Sequence, residues 1–287
     1  MNHSLEAATA GNPAASLSSP PLRPEIVAAF EHASSHCQRW KERKVRYRPP
    51  GELFDPSRAE VVVLDECDAK RFVQRHHYSA SYPAAKFRVG LLAKPRWGAA
   101  YLGGVAVYSV PMTQQVIPAV LGVDPSLGVE LGRLVLLDTP ELTANAESWF
   151  VARAHRALRS RFPELRDVVA YCDPIERLDA SGQLVKRSHT GVVYRALGCQ
   201  RKGLSSPRTL WLLPDGQVAS ERAMSKLRAG ECGRDYAEQQ LRNKGAPVRG
   251  PLEGGDQYLK RLKQEGFLRP LRHPGNLRFA WEWKGTG

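Results

Sequence analysis

Four polar positions stand where apolar segments end or are interrupted, and their side chains suit acid–base and anion-stabilising chemistry. His76-His77-Tyr78 closes a helical segment with imidazole and phenol groups. Glu130 and Arg133 interrupt the apolar run Val129–Leu137, and Arg133 shares strand parity with Val129, Leu131 and Val135. An unpaired guanidinium on that face would be costly to bury. Asp173 follows the apolar run 168–172 and precedes Pro174, whose ring holds it extended. The carboxyl end of a strand is where α/β folds place many reactive side chains. Tyr194 begins a helical stretch beside His189-Thr190-Gly191. Each has a plainer reading: His77 satisfying helix-end carbonyls, Arg133 in a core salt bridge, Asp173 forming a turn, Tyr194 as a core ring with a wet tip. Together they have the makings of a site. There is no Walker A loop, HExxH, GxSxG or Rossmann GxGxxG motif, so chemistries that depend on those signatures are excluded.

Alternating strands and helices must position these groups. The run 61–64 predicts a buried strand, 68–77 a helix, and 87–93 and 101–110 two further strands. Gly103-Gly104 in the last of these predicts a bulge or a close backbone approach. A short helix over 113–121 leads to a strand over 129–137. The clearest helix runs over 145–161, with Asn145 as N-cap, Glu147 in the first turn, and Phe150, Ala154 and Leu158 on one face. A strand over 168–172, a helix over 192–197 and a strand over 210–213 complete an α/β or α+β domain of roughly 150 residues. Beyond Ser220, short helices are expected over 221–228, 235–244 and 257–264. Two strand-like arms about Pro274-Gly275 then suggest a winged-helix arrangement with a basic hairpin. The expected organisation is a disordered tail over 1–22, a basic helical arm over 23–58, the catalytic-type domain over 59–219 and a basic C-terminal region over 220–287. The arm carries a basic run, 39–48, with interleaved Trp40 and Tyr47, readable as a nucleic-acid contact or a solvated linker.

The chain has 287 residues, 42 Lys plus Arg against 29 Asp plus Glu, and so a formal charge of +13. Residues 221–287 hold 14 basic and 8 acidic side chains, an excess of +6 in the last quarter. Such a field attracts polyanions, nucleic acid foremost. No segment approaches the roughly 20 apolar residues of a membrane span. Five cysteines, with no CxxC pair, fit a reducing cytoplasm and neither a disulfide framework nor a structural zinc site.

With these residues laid out, the central block resembles the bacteriophage Mom family of DNA-modifying proteins. The matching pieces occur in order: His76-His77-Tyr78-Ser79, Gly103-Gly104-Val105-Ala106-Val107, Glu130-Leu131-Gly132-Arg133-Leu134, Asn145-Ala146-Glu147-Ser148-Trp149-Phe150, Tyr171-Cys172-Asp173-Pro174, and Gly191-Val192-Val193-Tyr194. Arg272-His273-Pro274-Gly275-Asn276 resembles the family's C-terminal end. The resemblance implies a Gcn5-related N-acyltransferase-like fold, a mixed sheet flanked by helices. It also implies conversion of adenine N6 in duplex DNA to a carbamoylmethyl derivative that protects phage DNA from restriction, in a bacterial host cytoplasm. Carried over by position, His77, Tyr78, Arg133, Asp173 and Tyr194 become catalytic candidates. Ser148 becomes a donor-binding candidate, with Asn145 and Arg133 beside it.

The resemblance leaves two donors open. One is an acetyl-type donor such as acetyl-CoA, activated at an Fe2+ site whose ligands would be His77, Tyr78 and Asp173. The other is a glycyl donor, glycyl-tRNA, used without metal. Acyltransferases of this fold cradle coenzyme A on a glycine loop, and the corresponding stretch here, 139–144, has no glycine and carries Glu141. In the glycyl route Asp173 would be the base and Arg133 would hold the donor or an oxyanion. Either route needs adenine flipped from the stack, with Tyr78 or Tyr194 available to stack on it. Lys260, Arg261, Arg272, His273 and Arg278 are the candidate duplex contacts. The competing readings are a DNA-binding regulator or packaging factor with an inactive domain, and a coenzyme A-dependent N-acetyltransferase of other substrates.

Overall fold

The computed structural model describes residues 54–283. The expectations for the tail over 1–22 and most of the basic arm over 23–58 lie outside these residues. Strand β1 (Ala59–Val63) leads through an Asp65-capped turn into helix α1 (Glu66–His76). The hairpin of β2 (Ala85–Ala93) and β3 (Tyr101–Ser109) follows, then α2 (Val116–Leu121), β4 (Gly128–Leu136), α3 (Ala146–Arg161) and β5 (Asp167–Cys172). A two-stranded ribbon, β6 (Arg177–Leu178) and β7 (Leu184–Lys186), precedes α4 (Val192–Ala196) and β8 (Gln200–Leu204). The chain continues through β9 (Arg208–Leu212), three helices α5 (Glu221–Ala229), α6 (Arg234–Arg242) and α7 (Gly255–Gln264), then β10 (Arg269–His273) and β11 (Leu277–Glu282).

Seven strands form one mixed sheet in the order β1-β2-β3-β4-β5-β11-β8. Only β4 and β5 are parallel, as the α3 crossover between them requires. One face packs on α3 through Phe150, Ala154 and Leu158, the stripe expected from its spacing. The other packs on α1 through Phe72 and Val73. This is the mixed sheet with flanking helices expected from the resemblance. Gly103 is the extra residue of a bulge against β2, and a Cβ there would come within 2.6 Å of Leu142. Among the described residues the cysteines 67, 172, 199 and 232 are free, and no helix is long and apolar enough to cross a membrane.

The C-terminal region departs from expectation. Helices α5–α7 share a small core around Met224, Leu241, Tyr258 and Leu262. Yet the two arms about Pro274-Gly275 do not form a winged-helix hairpin. Instead β10 pairs with β9, which closes the helices into a module over 208–273, and β11 enters the main sheet between β5 and β8. The main-sheet domain therefore includes 277–282, and the expected boundary at 219/220 falls inside the helical module. Apolar alternation showed two strands about a turn but could not show which partners they would take.

Candidate active site

The site begins with a defect in β4. Its ladder to β3 pairs Tyr108 with Leu131 and Val107 with Arg133, so Gly132 is bulged. A Cβ on Gly132 would run into the Ser109 hydroxyl, so any other residue here must displace that side chain. The bulge reverses side-chain parity. Val129 and Leu131 face the α3 core, whereas Val135 and Leu137 face the α1 core. Arg133 thus shares its face with Val135 and not with Val129 or Leu131, which corrects the parity expected from the sequence. Beyond the bulge β4 and β5 part, since they pair only over 128–131 and 167–170. A cleft of about 560 Å³ opens in the gap, and all five catalytic candidates, His77, Tyr78, Arg133, Asp173 and Tyr194, line it.

Arg133 is held by neutral acceptors. Its Nε donates to the Ser81 carbonyl at 3.0 Å, Nη2 to Ser81 Oγ at 2.7 Å and Nη1 to the Gly132 carbonyl at 2.6 Å. No ion pair to a carboxylate forms within 4 Å among the described residues, so the core salt bridge is not its role. Burial lowers its pKa, only partly offset by Tyr78 and Glu130. The guanidinium is oriented while its charge remains un-neutralised.

His77 caps the C-terminal end of α1, where its backbone N–H donates to the Val73 carbonyl. Its Nδ1 accepts from the Ser79 N–H at 3.1 Å, which leaves the ring proton of the neutral form on Nε2. Burial, then Arg133, Arg177 and His189, hold its pKa well below 6.5. His77 is a neutral N–H donor. Tyr78 lies 4.2 Å from its ring, with Arg177 4.9 Å and Lys186 5.8 Å over the phenol. Burial raises the Tyr78 pKa.

Asp173 is the most heavily contacted group. Its Oδ1 accepts from the Ile175 N–H at 3.0 Å and from His273 Nε2 at 2.9 Å, with Lys186 Nζ 3.3 Å away. Its Oδ2 takes Arg177 Nη2 at 3.1 Å. Burial pushes its pKa up, but Lys186, His273, the Ile175 N–H and Arg177 outweigh it, and the net shift is downward. Lys186 also donates to the carbonyls of Asp173, Ile175 and Arg187, at 2.8, 2.8 and 2.9 Å. Its burial lowers the ammonium to about 8.

This arrangement does not fit Fe2+. Two of the three proposed ligands sit under cations, both Asp173 oxygens already face donors, and no group of three or more His, Cys, Asp or Glu is arranged for a metal among the described residues. The stretch 139–144 does not form a pyrophosphate cradle either. The Tyr101 hydroxyl pins it, lying 2.5 Å from Thr139 Oγ1 and 2.6 Å from Glu141 Oε2.

The structure corrects several further expectations. Asn145 stands at the N-cap of α3 with φ 70° and makes no side-chain cap, and Ser148 Oγ donates back to the Asn145 carbonyl at 3.0 Å. Neither lines the cleft; Glu147, between them in sequence, does. Tyr194 is walled by the rings of His189, Phe279 and Trp281, and is therefore a core ring with no open face for a base. His273 has a fully buried side chain, with Nδ1 accepting from the Gly275 N–H and Nε2–H directed at Asp173, so it is part of the site and not a duplex contact. Arg261 forks onto Glu253 with two contacts of 2.8 Å and is neutralised there. Lys260 is exposed but pairs with Asp256 at 2.9 Å. Arg272 is exposed on β10, and Arg278 is half-buried in the sheet.

Sequence reasoning noted Glu130 without giving it a catalytic role, and it did not place Lys186 and Arg177 in the site. Glu130 lines the cleft, and burial raises its carboxyl to about 6 against the pull of Arg133. Its position inside an apolar strand was the available signal. Lys186 and Arg177 sit on the β6–β7 ribbon, whose short strands carry no periodicity to read.

No curated protein matches the chain in sequence. Among solved structures, a tandem GNAT protein from the clavulanic acid biosynthesis pathway, described without AcCoA, is similar. It is 12% identical, covers 80% of this chain and 100% of its own, and has a TM-score of 0.38. The Mom protein family model matches residues 58–250, a span that carries all five residues brought together at the cleft, and the chain belongs to that family of DNA-modifying proteins.

Proposed function

We propose that this protein is a phage-type transferase that converts adenine N6 in duplex DNA to a carbamoylmethyl group and so shields the DNA from restriction. One observation carries the reading: in a chain of this family, five side chains from four separate segments converge on one cleft. That cleft pairs an un-neutralised Arg133 with a desolvated acceptor, Glu130. The target base must leave the stack to reach it, because N6 is engaged in pairing.

The donor most consistent with the residues is a glycyl ester such as glycyl-tRNA. Adenine N6 attacks the ester carbonyl, Glu130 accepts the N6 proton, and the donor's hydroxyl leaves. Arg133 faces the developing oxyanion, and His77 Nε2–H is a second donor to it. The glycyl amine then attacks adenine C6. The C6–N6 bond breaks, and the original N6 departs as the carboxamide nitrogen of the same group. The product is C6–NH–CH2–CO–NH2, with no oxidant or metal consumed. Glu130 suits the base role better than Asp173, whose pKa, despite burial, is held down by Lys186, His273, the Ile175 N–H and Arg177. Asp173 instead positions Lys186, Arg177 and His273, and through the two cations the Tyr78 ring. The basic excess of the C-terminal quarter, with Arg272 exposed on β10, supports duplex engagement.

The test is to co-express the chain with a plasmid, digest the recovered DNA to nucleosides and weigh the deoxyadenosine fraction. A species heavier by the carbamoylmethyl group, lost with Glu130→Gln and Arg133→Ala, supports the reading. Unmodified DNA from folded, DNA-binding protein overturns it in favour of a binding module.

A further inference from the structure

A second cavity lies along the C-terminal half of α3, away from the cleft. Its volume is about 730 Å³, and His155, Arg156, Arg159, Leu197, Trp281 and Trp283 are among its walls. Small-ligand sites span about 300–1,000 Å³. His155 is 7% exposed and its Nε2 makes no hydrogen bond. Trp281 meets the imidazole at 4.6 Å and 77°, and Trp283 at 5.4 Å and 70°. The Trp281 indole and the Trp283 backbone are fixed before any ligand arrives. Trp281 Nε1 donates to the Leu197 carbonyl at 3.2 Å, and the Trp283 backbone N–H donates to the Arg166 carbonyl at 2.8 Å. Arg156 and Arg159 are exposed on the same helix, and neither has a carboxylate partner among the described residues. Arg159 leans over Trp283 with 5.3 Å to the ring centroid.

An indole ring offers stacking surface to a planar ring, and guanidinium groups offer charge to a phosphate. We propose that this cavity binds a nucleotide, with the heterocycle against Trp283 and its phosphate on Arg156 and Arg159. The cavity is distinct from the cleft: Glu147 lines one and His155 the other, about 12 Å apart along the helix axis. The inference therefore stands independently of what the cleft does. The same chemistry is presented by a free nucleotide and by an unpaired nucleotide of a strand.

The full chain, titrated with AMP, dAMP or a 5′-phosphorylated oligo(dA) while tryptophan emission is followed, tests this. Saturable quenching is expected, at least tenfold weaker in the doubly substituted Arg156→Glu, Arg159→Glu protein, smaller in amplitude in Trp283→Phe and retained in Arg133→Ala. Both arginines are on the surface, so charge reversal leaves the thermal unfolding curve in place. Quenching by mononucleotides assigns a free nucleotide, and quenching by the oligonucleotide alone assigns a strand. No quenching by any probe, an unchanged affinity after charge reversal, or loss of quenching in Arg133→Ala overturns the proposal.

Discussion

Replacing Asp173 by Asn preserves shape and removes one charge, which isolates what that charge does. In the native site the Asp173 side chain is 10% exposed, Arg177 is 6% and Lys186 is 2%. Asparagine keeps the Ile175 N–H as a partner but leaves two buried cations without a counter-charge. Removing one partner of a buried pair costs about 3–5 kcal/mol. For a chain of this size each kcal/mol is worth about 2–4 °C, so the melting temperature should fall by roughly 6–20 °C. Adding Lys186→Met should recover part of that loss, because exchanging a whole buried pair for apolar groups is close to neutral. DNA modification should stay lost in both proteins. The assay is thermal unfolding by circular dichroism at pH 7, repeated in about 0.5 M salt, which screens buried pairs weakly. The acid limb gives a second readout. With the native Asp173 pKa below 3.8, its contribution is complete above that pH and fades as the pH falls further; Asp173→Asn lacks that slope. An unchanged melting temperature, or full recovery on adding salt, would refute the view of Asp173 as the anchor of the cationic cluster.

Four other outcomes follow from the geometry. The rate of DNA modification should rise with pH around an apparent midpoint near 6, the value to which burial lifts Glu130; Glu130→Gln should remove that limb and lower the rate about 10²–10⁴-fold. In stability the sign is opposite to that of Asp173. Between pH 4.5 and 6 the folded state holds the Glu130 proton more tightly than the unfolded chain, so native stability should drop by about 2 kcal/mol across that window relative to Glu130→Gln. Arg133→Lys cannot reproduce the fork onto Ser81 and Gly132, and modification should fall about 10²–10³-fold with duplex affinity retained in a gel-shift titration. Gly132→Ala should cost about 1–3 kcal/mol in urea unfolding, partly restored by Ser109→Ala, which removes the hydroxyl that the new methyl meets. Arg272→Glu should reduce the slope of log affinity against log salt by about one, whereas Arg261→Ala should lower stability and leave that slope alone.

Much of the fold was legible because its long elements have strong periodicity. Helix α3 begins and ends within a residue of the expected span, since its apolar stripe and acidic first turn are local signals. The bulge at Gly103 was legible from a glycine pair inside an apolar strand. The fates of β10 and β11 were not, because strand partners are set by contacts far away in sequence. The face of Arg133 was misread because one bulged residue reverses parity, and Gly132 alone gave no sign that it was bulged. Within the site, the resemblance supplied residues that line the cleft but not their electrostatics. Lys186 and His273 stand 13 and 100 residues from Asp173. Only the folded chain shows that they convert a candidate base into an anchor.

Because β11 is hydrogen-bonded between β5 and β8, the last of the sheet's seven strands to be synthesised is an internal one. A nascent chain that ends anywhere before residue 277 leaves β5 with a bare edge and β8 with no neighbour, however complete its other helices are. His273, which braces Asp173, enters only one turn earlier. Premature termination or C-terminal proteolysis therefore yields fragments without a finished site. Such fragments expose a long sheet edge that chaperones and proteases can recognise. Synthesis through residue 282 is in effect a checkpoint on any activity the cleft has.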